Sequence, residues 1–564
     1  MARSNPRSVR PWVAVLVGAA LAACARGPET DPAAHSPDGR IRALLTAGDN
    51  PVLALASGDT IHFGEELKAF YAARDYQAAW TDDNGFLPRG QALVEALNQA
   101  DAEGLDLAAY RRDVIPQLIE QAESDIAQDL PVGDLLGNLD LVMTESYLRY
   151  TSDVLRGTID PGSEGLDWKV AREDATDADF LNGLLEDEDF DQALAELRPQ
   201  LPFYDRLREG LARYRQVAEA GGWRTVDPGE ALEQGDRGPR VIQIRQRLAA
   251  ERDPVEAPLV EGATDPAVFD ARLAQAVAHF QDRHGLGEDG AAGAETFAAM
   301  NVPVEKRLRA IRLNLDRWRW LPREFGNHYV MVNVAGFELA VMKDDQPQLT
   351  MNVVVGKTGT QTPIFKDTIE HVVVNPYWNV PTNIAREEIM PAVQRDPGYL
   401  ARNNYEMVGS GANAGIRQKP GPKNALGEVK FLFPNDHDVY LHDTPADNLF
   451  ARNTRAFSHG CIRIEKPREL AYYLFEHAAG LSRSDYDRMR GVGERWVTLK
   501  EKLPVYILYF TAWGEDDGSV NFYRDISQRD ARVERVAGEK LDSGAVRAAP
   551  GRVARAPGSA AGRV

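Results

Sequence analysis

Cys461 lies in Ser458-His459-Gly460-Cys461-Ile462-Arg463-Ile464, and its neighbours suit a nucleophile better than a core residue. Polar Ser458 and His459, a glycine and a charged Arg463 are poor material for a dry interior and fit a thiolate that faces substrate. A thiol nucleophile needs a base, and two of the ten histidines are placed for it. His442 ends the run Val439-Tyr440-Leu441-His442, where strand alternation sets Tyr440 and His442 on one face. Nineteen residues separate His442 from Cys461, enough for the chain to return as an adjacent strand. His459 is two residues from the sulfur and shares its face if the backbone is extended, but Gly460 between them suggests a bend. Spacing alone leaves both rings open as the base. Without a Cβ, Gly460 also lets the main chain approach a substrate carbonyl, so N–H groups around Gly460 and Cys461 can bind an oxyanion. Arg463 offers a bidentate anchor for a carboxylate or, failing that, an exposed partner for Glu465. His437 and His442 around Asp438 form only a weak metal pattern, and thiol acyl transfer calls for no metal and no organic cofactor.

The elements that must position these groups follow from periodicity. From 328 onward short runs rich in Val, Ile, Tyr and Phe alternate with period two: His328 to Ala335, Phe337 to Met342, Leu349 to Val355, His371 to Asn375, Val429 to Phe433, Val439 to His442 and Pro504 to Phe510. They predict a β-rich domain over 328–525, with helices around Ile384 to Gln394 and Glu469 to Ala479. Residues 55–230 show three- and four-residue apolar spacing, as at Leu93, Val94, Leu97 and Leu135, Leu139, Val142, and predict an α-helical region. Gly221-Gly222 and Asp227-Pro228-Gly229 then punctuate the chain before a compact helical segment over 231–303. An amphipathic helix over 304–327, with Leu308, Ile311, Leu315 and Trp318, is expected to connect domains. Residues 526–564, rich in Ala, Gly, Pro and Arg toward the end, are expected to form a disordered tail.

Composition narrows the function. Over 564 residues, Lys+Arg of 65 against Asp+Glu of 85 gives a net charge of −20, which leaves nucleic-acid binding without its usual electrostatic drive. Two cysteines, Cys24 and Cys461, make neither a disulfide framework nor a thiolate zinc site. Arg3, Arg7 and Arg10 precede an apolar run from Trp12 to Ala23, shorter than the ~20 residues that span a bilayer. This is an export signal. Its end, Leu21-Ala22-Ala23-Cys24, resembles a bacterial lipobox, which implies lipidation of Cys24; Ala25 after it suggests sorting to the outer membrane. Residues 1–24 thus read as a lipoprotein signal peptide and 25–54 as a flexible tether, with the rest of the protein in the periplasm.

Two resemblances complete the reading. Gly235-Asp236-Arg237-Gly238, Val241, Gln246, Leu248, Phe280-Gln281, His284-Gly285-Leu286, Asp289-Gly290 and Thr296 resemble the small three-helix peptidoglycan-binding domain. His442 followed by Ser458-His459-Gly460-Cys461-Ile462-Arg463 resembles the signature of YkuD-type L,D-transpeptidases. Gly104-Leu105-Asp106, Asn375-Pro376-Tyr377-Trp378-Asn379-Val380-Pro381 and Asp396-Pro397-Gly398-Tyr399-Leu400 point to the large periplasmic subgroup. The resemblance implies a multidomain α+β chain: an α-helical scaffold, a peptidoglycan-binding domain and a catalytic β-domain with a lid over about 382–428, hinged at Gly409, Gly411, Gly415, Gly421 and Gly427. It implies Cys461 as nucleophile, His442 as base, and main-chain donors at His459, Gly460 and Cys461. Asp443 is the third partner, through its carbonyl or its carboxylate. Arg463, Ser458, Trp378, Asn375 and Tyr440 are the implied substrate contacts, with Trp378 facing either cleft or core. The implied reaction is a 3→3 cross-link between peptidoglycan stems through a thioester, with loss of D-alanine and sensitivity to carbapenem-type β-lactams. The rival readings are an L,D-carboxypeptidase, an enzyme attaching protein to the wall, and a non-catalytic wall-binding scaffold.

Overall fold

The computed structural model describes residues 35–48, 52–54, 60–162, 164–170, 177–409 and 415–543. The expected signal peptide over 1–24, Cys24, Gly411 and the chain after 543 lie outside the described residues. The protein is multidomain α+β, with three separate hydrophobic cores.

The first core is helical and centres on the helix Gly133–Arg156. Its buried Asp140 accepts from the N–H groups of Ala79, Trp80 and Thr81 at 2.7–2.9 Å and from the Tyr71 hydroxyl at 2.6 Å, so one carboxylate pins the loop that seats Trp80. The expected tether over 25–54 is in part folded. Residues Pro37–Thr46 form a helix because the Ser36 hydroxyl caps it at Gly39 N (3.1 Å), and Ile41 and Leu45 bury in this core.

The second core closes the small domain, whose helices Pro239–Glu251, Ala271–Arg283 and Ala294–Met300, with the short Glu256–Val260, bury Val241, Ile244, Leu248, Val277 and Phe280.

The third and largest core belongs to a mixed sheet. Its strand order is Val429–Leu432, Leu441–His442, Ile462–Ile464, Gln346–Gly356, Glu338–Lys343, His328–Asn333, Arg495–Leu508, Ile364–Val374. Val429–Leu432 also pairs with Ile364–Val374, so the strands close on themselves and leave few free edges. Trp168–Lys169, from the region expected to be wholly helical, adds to this sheet in parallel at Ile364–Phe365. The helix Pro202–Glu219 also buries Tyr204, Leu207, Leu211 and Tyr214 in the sheet's core, so the helical region packs against the sheet as well as around its own core.

Two more expectations are corrected. The helix Val304–Arg319 is not a linker: Ile311, Leu315 and Trp318 are buried, and so are Arg317 and Arg319. Its charges tolerate burial because each is matched, Arg317 by Asp530 at 2.7 Å, Arg319 by the Tyr204 hydroxyl at 2.7 Å, and Asp316 by the N–H and hydroxyl of Thr158 at 2.8 and 2.9 Å. The expected tail begins as the helix Arg529–Ser543, docked through Val533, the Asp530 pair and an Arg529–Asp167 contact at 3.3 Å. Alternating charges hid that anchored face from a compositional reading.

The hairpin Ala512–Gly514/Val520–Phe522 joins three regions. Val520 packs at Gly210, where a Cβ would meet it at 2.4 Å; the Val520 carbonyl accepts from Arg283 at 2.8 Å; and the Phe522 ring lies 4.5 Å from the Arg307 guanidinium.

Candidate active site

Strand pairing brings the two sequence candidates together. The short strands Leu441–His442 and Ile462–Ile464 are parallel neighbours, with Leu441 opposite Ile462 and His442 opposite Arg463. Leu441 and Ile462 are fully buried on the core side, so alternation sends His442 and Arg463, and one residue earlier Tyr440 and Cys461, to the other face. The register continues across the strands: Lys430 pairs with His442 on the opposite side. Cys461 is half-buried, next to the row Lys430, His442, Arg463.

The imidazole is held through one nitrogen. His442 Nδ1 lies 2.6 Å from the main-chain carbonyl of Asp443, which fixes the tautomer with Nδ1–H donating and Nε2 as the free acceptor. The carbonyl, not the carboxylate, therefore orients the ring. The Asp443 carboxylate instead accepts from the N–H groups of Glu428 and Thr444, both at 2.6 Å. It also abuts Gly427, where a Cβ would sit 2.1 Å from it, so this glycine serves close packing rather than a lid hinge.

Burial, together with the cationic Arg463 and Lys430, pushes His442 from 6.5 down to about 3. Burial raises the Cys461 thiol above its usual value, against the lowering effect of hydrogen bonds from the Tyr440 N–H and hydroxyl. The thiol, whose Sγ lies 3.5 Å from the Asp438 carbonyl, and the imidazole on the same sheet face are thus both neutral at rest, the state from which a general base acts in the same step as the attack. Tyr440, read from the sequence as a substrate contact, bonds Cys461 itself, and its hydroxyl in turn bonds the Trp378 side chain. Trp378 is half-buried, with its ring 6.4 Å from Tyr405 of the insertion, so it faces the site rather than the core.

The turn before Cys461 is braced from within. Gly460 has φ +123°, a conformation that favours glycine. Its carbonyl accepts from the Thr362 hydroxyl at 2.8 Å and its N–H donates to Ser458 Oγ at 3.1 Å. Ser458 is buried, and its hydroxyl donates to the Cys461 carbonyl at 2.5 Å. Ser458 is therefore a brace and not a substrate contact, and Gly460 N–H is already engaged. Asn375 is corrected likewise: it is buried at φ +51° and its amide holds Met489 O and Gly493 O, each at 2.8 Å, and Gly491 N at 3.0 Å. It pins the neighbouring loop.

His459 does not compete as base. Its Nε2 is 2.8 Å from Glu388 in the turn Ala385–Ile389, so the ring ties the nucleophile turn to the insertion. That insertion carries a small antiparallel sheet in the order Trp378–Asn379, Gly415–Gln418, Tyr405–Val408. Sequence reasoning missed Lys430 and Glu388. For Lys430 the signal was present, a lone charge in the apolar run Val429 to Phe433, on the face opposite Val429 and Phe431.

Cavity size would mislead here. A cleft of about 820 Å³ runs between the small domain and the sheet, lined by Asp282, Glu338, Asn453, Glu515 and Tyr523, and does not include Cys461. The chemistry is located by the side chains instead. Asp253, Glu256 and His279 form the one metal-type group among the described residues, but Arg283 Nε already lies 2.7 Å from Glu256.

Three family descriptions match the chain. Residues 327–479 match the L,D-transpeptidase catalytic domain (YkuD), 65–211 the scaffold domain and 237–300 the "Putative peptidoglycan binding domain". A curated protein of Haemophilus influenzae described as "Putative L,D-transpeptidase" is 31% identical over 242 residues, which cover 39% of this chain and 49% of that protein. The chain thus spans about half the length of this relative. Among solved structures, an L,D-transpeptidase from Mycobacterium smegmatis is 14% identical over 32% of this chain and 58% of its own, with a TM-score of 0.19. An L,D-transpeptidase from Xylanimonas cellulosilytica is 16% identical over 50% of this chain and 99% of its own, with a TM-score of 0.16. The C-terminal part of the protein, residues 327–479, thus matches the YkuD L,D-transpeptidase catalytic domain, carried in one chain with matches to a scaffold domain and a peptidoglycan-binding domain.

Proposed function

We propose that the protein forms 3→3 cross-links between peptidoglycan stem peptides through a thioester on Cys461. The observation that carries this reading is the shared sheet face of Cys461 and His442 on adjacent strands, with His442 Nδ1 held by the Asp443 carbonyl and Nε2 left as acceptor. Cys461 Sγ attacks the carbonyl of the third residue of a tetrapeptide stem while its proton passes to His442 Nε2. The C–N bond to D-alanine breaks and the leaving amine takes that proton. The amine of a second stem then attacks the thioester, its proton returns through His442 to the thiolate, and a new amide joins the stems. With Gly460 N–H engaged, the main-chain N–H groups of His459 and Cys461, which bond no acceptor among the described residues, are the oxyanion donors of this reading. Arg463, whose Nε is buried without a hydrogen-bond partner, anchors a substrate carboxylate.

The small domain brings the enzyme to the wall. The site of action of this reading is the periplasm, with the chain held at the outer membrane by lipidated Cys24; the support is the basic, then apolar, then Leu-Ala-Ala-Cys pattern of the first 24 residues. Among the described residues no helix is long and apolar enough to cross a membrane.

The test is mass spectrometry of muropeptides after purified protein is added to disaccharide-tetrapeptides. Dimers with loss of D-alanine, absent with Cys461→Ala, are the expected outcome. Tripeptide monomers without dimers would make the protein a carboxypeptidase, and no change with wild type would leave a binding scaffold.

A further inference from the structure

Lys430 belongs to neither member of the thiol–imidazole pair, yet the strand register sets it beside that pair. It lies opposite His442 on one strand, as Arg463 does on the other, so one imidazole separates two cations on the face that carries Cys461. Lys430 is half-buried, with Nζ 5.8 Å from the ring centres of both Tyr440 and Trp496. Among the described residues no carboxylate comes within ion-pair distance of Lys430 or Arg463. The acid whose charge acts on Lys430, Glu494, already accepts from the Tyr377 N–H at 2.8 Å and the Trp496 indole at 3.1 Å. Burial lowers both cations from their usual values, which shows the cost of keeping them there without counterions. At the small-domain junction Arg247 and Arg283 are paired with buried carboxylates; these two are held apart by the strand register and left open.

We infer that Lys430 and Arg463 form a two-point cradle for a donor stem bearing two carboxylates. Arg463, two residues from the nucleophile, takes the carboxylate of the D-alanine that leaves. Lys430, across the imidazole, takes the side-chain carboxylate of a diaminodicarboxylic third residue. Lys430 is then the residue that prefers an acidic diamino acid over a neutral one at the acyl position. The inference rests on the transpeptidase reading and names its substrate class.

Two tetrapeptide stems test it, one with the free side-chain carboxylate at the third residue and one with that group amidated. Wild type is expected to favour the free acid by about tenfold to hundredfold in kcat/KM, the range of a charge-assisted hydrogen bond, mostly through KM. Lys430→Met should bring the two stems to the same kcat/KM, and Lys430→Arg should restore the preference in part. A preference that survives Lys430→Met, or an equal fall on both stems, overturns the inference. A wild type that shows no preference also overturns it. Thioester formation with a carbapenem-type β-lactam, followed by intact mass, separates the two levels. If wild type acylates there but turns over neither stem, the transpeptidase reading itself has failed, whatever Lys430 does.

Discussion

The junction of the small domain and the catalytic sheet handle buried charge in opposite ways. At the junction Arg283 is 1% exposed and meets Glu256 at 2.7 Å, Glu251 at 3.3 Å and Asp253 at 3.5 Å, while Arg247 meets Glu251 at 2.6 Å. Burial alone would raise Glu251, but Arg247 and Arg283 beside it hold it well below the usual carboxylate range. On the active face Lys430 and Arg463 are less buried and have no anion. Paired charges are a structural device, since removing one partner strands the other; unpaired charges on a fixed lattice of strands are a binding device.

Three variants or conditions sharpen or break this contrast. Arg283→Met leaves Asp253 and Glu256 buried without their guanidinium and Glu251 with Arg247 alone, and should destabilise the protein by about 3–5 kcal/mol in chemical denaturation. A loss within experimental error would mean that the junction is solvated and the contrast false. Arg463→Met removes a cation with nothing to strand, so stability should not fall, while KM for a tetrapeptide stem should rise about tenfold. Destabilisation comparable to the Arg283 variant would make Arg463 structural.

The smallest effect is in pH. His442 is depressed from 6.5 to about 3, so it stays neutral, and able to accept a proton, throughout the range in which an ordinary histidine would protonate. The thiol is raised, so its own ionisation falls on the alkaline side. The rate of Cys461 acylation by a β-lactam should therefore hold level from about pH 5 to 8, with no acid limb near 6.5. An inflection there would show a thiolate–imidazolium pair instead. The same sign applies to stability. Below 6.5 the unfolded chain takes a proton at this position that the native state refuses until about 3, so that contribution is lost as pH falls through this window.

Much of the site was legible in advance because strand alternation has a period of two. Tyr440 and His442 were assigned a shared face from spacing alone, and the parallel pairing of the two strands brought Cys461 and Arg463 onto that face. Residues whose roles depend on hydrogen bonds distant in sequence were misread. Asn375 holds a loop more than a hundred residues away, and Ser458 braces a turn also clamped by Thr362. The buried helix Val304–Arg319 looked like a linker because its arginines look solvent-bound until Asp530 and Tyr204 are seen beside them.

The chain by itself determined most element types, the candidate nucleophile and the two histidines worth weighing, because propensity, periodicity and side-chain chemistry are local. Tertiary structure decided which histidine shares the sheet face of the sulfur. It also settled that a carbonyl rather than a carboxylate orients the ring, and that Lys430 joins the row. Each depends on register between strands, and register is set by which apolar faces close the core together rather than by the residues near the site.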